Sequence, residues 1–184
     1  MLKKIIGRLR QATAQWKKSE RGSAAVEFAL VAGPFIMVLG TLVETGLMML
    51  TEHAIQSGVQ DAARLVRTGQ VKSQNLDAAA FKASVCNTAG IIINCSTGVT
   101  VYVNSAVNFA SLASSLPSFT NVGPSAGTPN PPTVFTPGSG SQPAAVIATY
   151  DWTFSMWGMT PFGNVQGGAA RRLVGFAIFQ NEPF

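Results

Sequence analysis

The stretch from Arg21 to Leu50, RGSAAVEFALVAGPFIMVLGTLVETGLMML, constrains everything else in this chain. No charged residue interrupts it from Phe28 to Val43, and apolar character resumes after Glu44 and holds through Leu50. A helix of roughly 23 apolar residues, rising about 1.5 Å each, is long enough to cross a hydrocarbon core of roughly 30 Å. The run is too long for the apolar region of a secretory signal, and no small-residue cleavage site follows it. The competing reading is a buried helix of a soluble protein, and the flanks weigh against that. Glu27 lies just inside the apolar boundary and Glu44 in the second half. A carboxylate at the centre of a bilayer costs on the order of 3 kcal/mol, so such a residue faces protein and has a partner.

Charge is where composition matters. The chain has 184 residues and a net charge of +5, and that charge is concentrated at one end. Lys3, Lys4, Arg8, Arg10, Lys17, Lys18 and Arg21 stand against Glu20 alone in residues 1–22. Beyond them, acidic side chains slightly outnumber basic ones, so no basic face remains to follow a phosphate backbone, and nucleic-acid binding is excluded. Positive charge close to a span stays cytoplasmic, which predicts the N-terminus inside and the remainder outside. Cys86 and Cys95 then occupy an oxidising compartment, where a disulfide is the default.

The leader, residues 1–22, reads either as a solvated charged tail or as a segment removed after Gly22. Leu2, Ile5, Ile6, Leu9 and Trp16 could line one weak apolar stripe of a surface helix. Within the span, residues 23–50, Pro34 predicts a local loosening. Gly33, Gly40 and Gly46 would allow another helix to approach closely. After Leu50 the helical pattern persists through Ile55, Val59, Ala62, Ala63, Leu65 and Val66, and Gly69 is the expected stop. One helix from about Ala24 to Arg67 would keep its first half in lipid and pack its second half on a domain.

That domain, residues 51–184, reads as an extracytoplasmic α+β head. Asp77 is placed to cap a second helix from Ala78 to about Thr88, with Cys86 in its last turn. Ile91-Ile92-Ile93 leads to Cys95. Val99–Val103, Ala145–Trp152 and Arg172–Phe179 read as strands of an antiparallel sheet of at least three, able to bury the second half of the long helix. Residues 104–143 are rich in Ser, Pro and Gly and hold no charge, which predicts a long loop or insertion. Trp152, Phe154, Trp157, Met159 and Phe162 crowd the connection before the last strand, a grouping that suits core or membrane-surface contact better than a ligand pocket.

Catalysis finds little footing here. His53 is the only histidine, so a Ser-His-Asp set in the head is out of reach, and no Gly-rich phosphate loop follows a strand. Two cysteines and one histidine are too few for a metal centre, and their spacing is not Cys-x-x-Cys. Neither metal nor cofactor is expected. A disulfide between Cys86 and Cys95 would tie the second helix to the first strand.

Gly22-Ser23-Ala24-Ala25-Val26-Glu27-Phe28-Ala29-Leu30-Val31 resembles the start of TadE-like proteins, the pseudopilins of the tight-adherence (Flp) pilus system. Further matches are Pro34, Leu42-Val43-Glu44 with Gly46, Ala62-Ala63-Arg64, Arg67-Thr68-Gly69-Gln70, the cysteine pair and the ending Asn181-Glu182-Pro183-Phe184. The likeness covers both ends of the chain and thins between Asn104 and Pro143. It implies a bacterial inner-membrane protein, single-pass, that a prepilin peptidase cuts between Gly22 and Ser23. The mature protein would assist pilus assembly as a minor pilin or a tip or initiation component, with other pilins and the inner-membrane assembly platform as partners. Glu27 would be the carboxylate at mature position five; it, Phe28 and Glu44 are the residues expected to set subunit register. Major Flp pilins are far shorter and nearly all helix, so the head argues against the filament's main subunit. Two rivals remain: an anchored enzyme, and a membrane-anchored adhesive module that never enters a filament.

Overall fold

A computed structural model describes residues 21–90, 93–117, 133–155, 158–159, 162–165 and 170–184. The leader stripe from Leu2 to Trp16, Ile91 and Ile92, the middle of the Pro-rich segment and Trp157 lie outside the described residues.

Helix α1 runs from Arg21 to Arg67. It passes through Pro34, which lacks an N–H and leaves one helical carbonyl without its usual donor. The chain divides into two compact units between Val43 and Glu44, so α1 belongs partly to each. In the first unit its apolar side chains are exposed all round, Phe28 at 74 % and Val31 at 71 %. Among the described helices it alone is long and apolar enough to cross a membrane.

In the second unit, Glu44–Phe184, the same helix becomes amphipathic. Ile55, Val59, Ala62, Ala63 and Val66 recur three or four residues apart and are buried, while Glu52, Gln60, Asp61, Arg64 and Arg67 between them are exposed. The helix stops where Gly69 takes a left-handed conformation, φ 72°, which costs glycine nothing. A short α2 (Gln70–Ser73) follows, then α3 (Ala78–Ala89). Asp77 caps α3: its carboxyl accepts from the Ala80 N–H at 2.7 Å. A disulfide joins Cys86 of α3 to Cys95, the first residue of the one-turn α4 (Cys95–Gly98).

Three strands form one antiparallel sheet in the order β1-β2-β3: β1 (Val99–Ser105), β2 (Pro143–Thr153) and β3 (Ala170–Gln180). Alternate side chains point to opposite faces. Val99, Val103, Val146, Ala148, Leu173 and Ala177 meet α1 and α3 in the main core, where Ile55 and Phe81 are fully buried. Each such side chain contributes about 1.5–3 kcal/mol by leaving water. On the other face Tyr102 and Ile147 are covered by Leu116 and Val134, while Phe176 and Ile178 stay exposed.

The segment between β1 and β2 is not loop throughout. It contains α5 (Phe109–Ser115), whose cap is the Asn108 carboxamide accepting from the Ser111 N–H at 2.8 Å. Leu112 anchors it in the interior. Further on, Phe135 bridges Val103, and its ring lies 5.5 Å from that of Phe81.

Helix and sheet run side by side, and three contacts set their alignment. Glu44 meets Ser155 just past β2, Gln56 meets Phe176 in mid-β3, and Arg67 meets Glu182 beyond β3. The helix climbs roughly 34 Å from residue 44 to 67, close to the roughly 33–36 Å that an eleven-residue strand spans. The strands therefore extend along the helix, and one end of the head lies level with Glu44.

Candidate functional site

The first turns of α1 hold the residues that processing and register would need. Among the described residues, a Cβ built on Gly22 meets nothing within 4 Å. The Ser23 hydroxyl donates to Glu27 Oε1 at 2.9 Å, one helical turn away. The carboxyl group of Glu27 thus reaches the very residue whose backbone amine a cut after Gly22 would free. Phe28 follows, its ring exposed. Gly33 and Gly46 also open onto empty space, leaving room on the helix surface for a neighbour's backbone.

Glu44 has a different setting. It is 6 % exposed, and its Oε1 accepts the backbone N–H of Ser155 at 2.5 Å. A polar group removed from water is costly unless it finds a partner, and here the head supplies one. Glu27 faces outward at the start of the helix; Glu44 faces its own chain. Thr51, fully buried about two turns on, donates its hydroxyl to the Leu47 carbonyl.

The ending Asn181-Glu182-Pro183-Phe184 closes the opposite end of the head. Asn181 is 3 % exposed and its amide donates to the carbonyls of Pro137 and Ser139, both at 3.0 Å. The Glu182 N–H donates to the Arg67 carbonyl at 2.9 Å, and its carboxylate lies 3.4 Å from the Arg67 guanidinium. A Cβ on Gly69 would collide with the Phe184 ring. The ending is therefore a clasp over the end of α1. Reasoning from the sequence singled out these residues but assigned them no contact.

A second ion pair of the head has no signature in the sequence. Arg172 and Asp151 are cross-strand neighbours on β3 and β2, joined by two hydrogen bonds of 2.7 and 2.8 Å. The Arg172 side chain is 4 % exposed and that of Asp151 33 %. Asn164 accepts the Arg172 backbone N–H as well. Their opposite charges sit in segments that read as strands, but only the register shows that they face each other. The pair and the Asn164 contact tie β3 to β2 and to the loop before it.

A groove of about 720 Å³ runs between α1 and β3, lined by Gln56, Gln60, Arg64, Arg67, Phe176 and Ile178 among others. The Gln56 side chain both donates to the Phe176 carbonyl and accepts its N–H, each at 3.0 Å, so the helix satisfies the strand edge there. Among the described residues no three His, Cys, Asp or Glu side chains gather as a metal site. His53 is exposed on α1.

The family model described as TadE-like protein matches residues 22–64. That stretch begins at Gly22 and contains Ser23, Glu27, Phe28 and Glu44, and over it the chain is TadE-like. No curated protein and no solved structure matches the chain.

Proposed function

We propose that this TadE-like chain is a pseudopilin or minor pilin that assists assembly of a tight-adherence pilus after a prepilin peptidase cuts between Gly22 and Ser23. The observation that carries the reading is the start of α1, with Glu27 one turn past Ser23, the residue after Gly22, at the head of a helix whose apolar side chains are exposed up to Val43. Before cleavage Glu27 is answered by a hydroxyl. After cleavage Ser23 bears an ammonium group, and a carboxylate in lipid needs a cation. In a helical stack the ammonium of one subunit meets Glu27 of the next and sets their register. Phe28, exposed beside it, packs against the neighbouring helix. Glu44, satisfied within its own chain, serves assembly by holding the head against the helix.

The basic leader keeps the N-terminus in the cytoplasm, and the head lies outside the inner membrane, where its disulfide is stable. The role is structural, without catalysis. Replacing Glu27 with Ala or Gln should leave membrane insertion intact and abolish or strongly reduce piliation, scored by electron microscopy of otherwise isogenic cells. Wild-type piliation in that strain would remove Glu27 from the mechanism.

A further inference from the structure

The end of the head that lies level with Glu44 carries a feature that pilus register does not use. The Ser155–Glu44 hydrogen bond fixes that end beside α1 at residue 44. From there α1 continues outward with exposed Leu47, Met49 and Leu50, another six residues or about 9 Å of apolar helix. So Ser155, just after β2, lies beside apolar helix rather than beyond it. The side chains there suit a boundary. Phe162 is 60 % exposed, which presents its ring at this end, and Phe154 is half-buried. Arg171, exposed, donates from its guanidinium to the Phe162 carbonyl at 3.3 Å. Arg172 is already neutralised by Asp151, so Arg171 is the cation that this end presents outward. Aromatic rings beside an arginine, flush with the outer part of a spanning helix, match the chemistry of the headgroup layer.

We propose that the Phe154–Phe162–Arg171 end of the head is a membrane-surface contact, seated in the headgroup layer of the leaflet through which α1 leaves the bilayer. The proposal rests on the reading of α1 as a membrane span. Its occupant is lipid because this end lies level with Glu44, short of the exposed apolar Leu47, Met49 and Leu50 of the same helix, and because exposed Arg171 is placed for anionic headgroups. Seated this way, the head cannot swing freely about the helix, and a subunit leaving for a filament must first give up this contact.

Depth-dependent quenching in the full chain tests it. Single cysteines at Leu47, Phe162 and Val107, added to a protein with its disulfide intact, receive an environment-sensitive dye. The variants are reconstituted into phosphatidylethanolamine/phosphatidylglycerol vesicles containing lipid with a nitroxide near the top of the acyl chain. Val107 is the aqueous control: it is 83 % exposed and follows β1 at the far end of the sheet, about 33 Å from Thr153. The expected result is strong quenching at positions 47 and 162, at least roughly threefold above position 107. A second label at exposed Thr153, on the same end, should follow position 162 and guards against a disturbed loop. Quenching at 47 with none at 162 or 153 overturns the proposal and leaves the span intact. No quenching at 47 overturns both. Shielding of 162 from water that vanishes on dilution of protein in the bilayer, without nitroxide quenching, assigns the patch to a second copy and overturns the lipid contact.

Discussion

An acid group inside an apolar stretch requires a donor, and Glu44 obtains one from Ser155 of its own chain. The need was legible from its place between Val43 and Gly46; the donor was not, because 111 residues separate the two and a backbone N–H has no sequence signature. Replacing Glu44 with Ala removes this part-buried hydrogen bond, which should lower head stability by about 1 kcal/mol. Glu44→Gln retains an acceptor and should cost less. Urea midpoints in detergent micelles measure both, and equal midpoints for wild type and Glu44→Ala would contradict the assignment. At Arg172 the cost is larger. Removing the guanidinium leaves Asp151 facing an apolar neighbourhood, and breaking a buried pair costs about 3–5 kcal/mol. Because Asp151 is one-third exposed, the lower end of that range is expected for Arg172→Met. The double variant Asp151→Leu, Arg172→Met should recover much of the loss.

Elements were legible to different degrees. Helix α1 announced itself by an apolar run followed by apolar residues at helical spacing, and its stop by Gly69. The strands were readable from β-branched and aromatic runs bounded by turn residues. Three short helices were not, and of these α2, with four residues, is too short to show a period. In α5 the apolar signal is a single Leu112 among serines and alanines, and the Asn108 cap that starts it looks like any other polar loop residue. In α4 one turn is too short to show a period. The C-terminal clasp was visible only as a motif. Its physical content is local: Gly69→Ala should cost about 1–2 kcal/mol from the positive φ alone, and more because the Phe184 ring must move. Thermal unfolding measures this, and Phe184→Ala should relieve the steric part. Reducing the Cys86–Cys95 bond should cost about 2–3 kcal/mol on chain-entropy grounds, since the closed loop is short. An unchanged midpoint under reductant would mean that α3 and β1 hold their places without it.

At the scale of the whole molecule, one helix takes on two roles. Up to Val43 its surface is apolar all round, as lipid or the helices of neighbouring subunits require. From Glu44 onward it has one buried face, as a sheet requires. The division of the chain between Val43 and Glu44 falls where the hydrophobic pattern changes from continuous to periodic. The fold and a helix long and apolar enough to span a membrane followed from that pattern, whereas the processing site rests on a short motif at the head of the helix. The central claim is that a peptidase cuts there, making the amine that Glu27 of a neighbouring subunit is placed to meet. A Gly22→Phe variant should accumulate uncut at the membrane. The most direct measurement is the N-terminal sequence and intact mass of the wild-type protein recovered from the membranes of its host. The account predicts a chain beginning Ser23-Ala24-Ala25-Val26-Glu27; a chain still beginning at Met1, in cells that assemble pili, would contradict it.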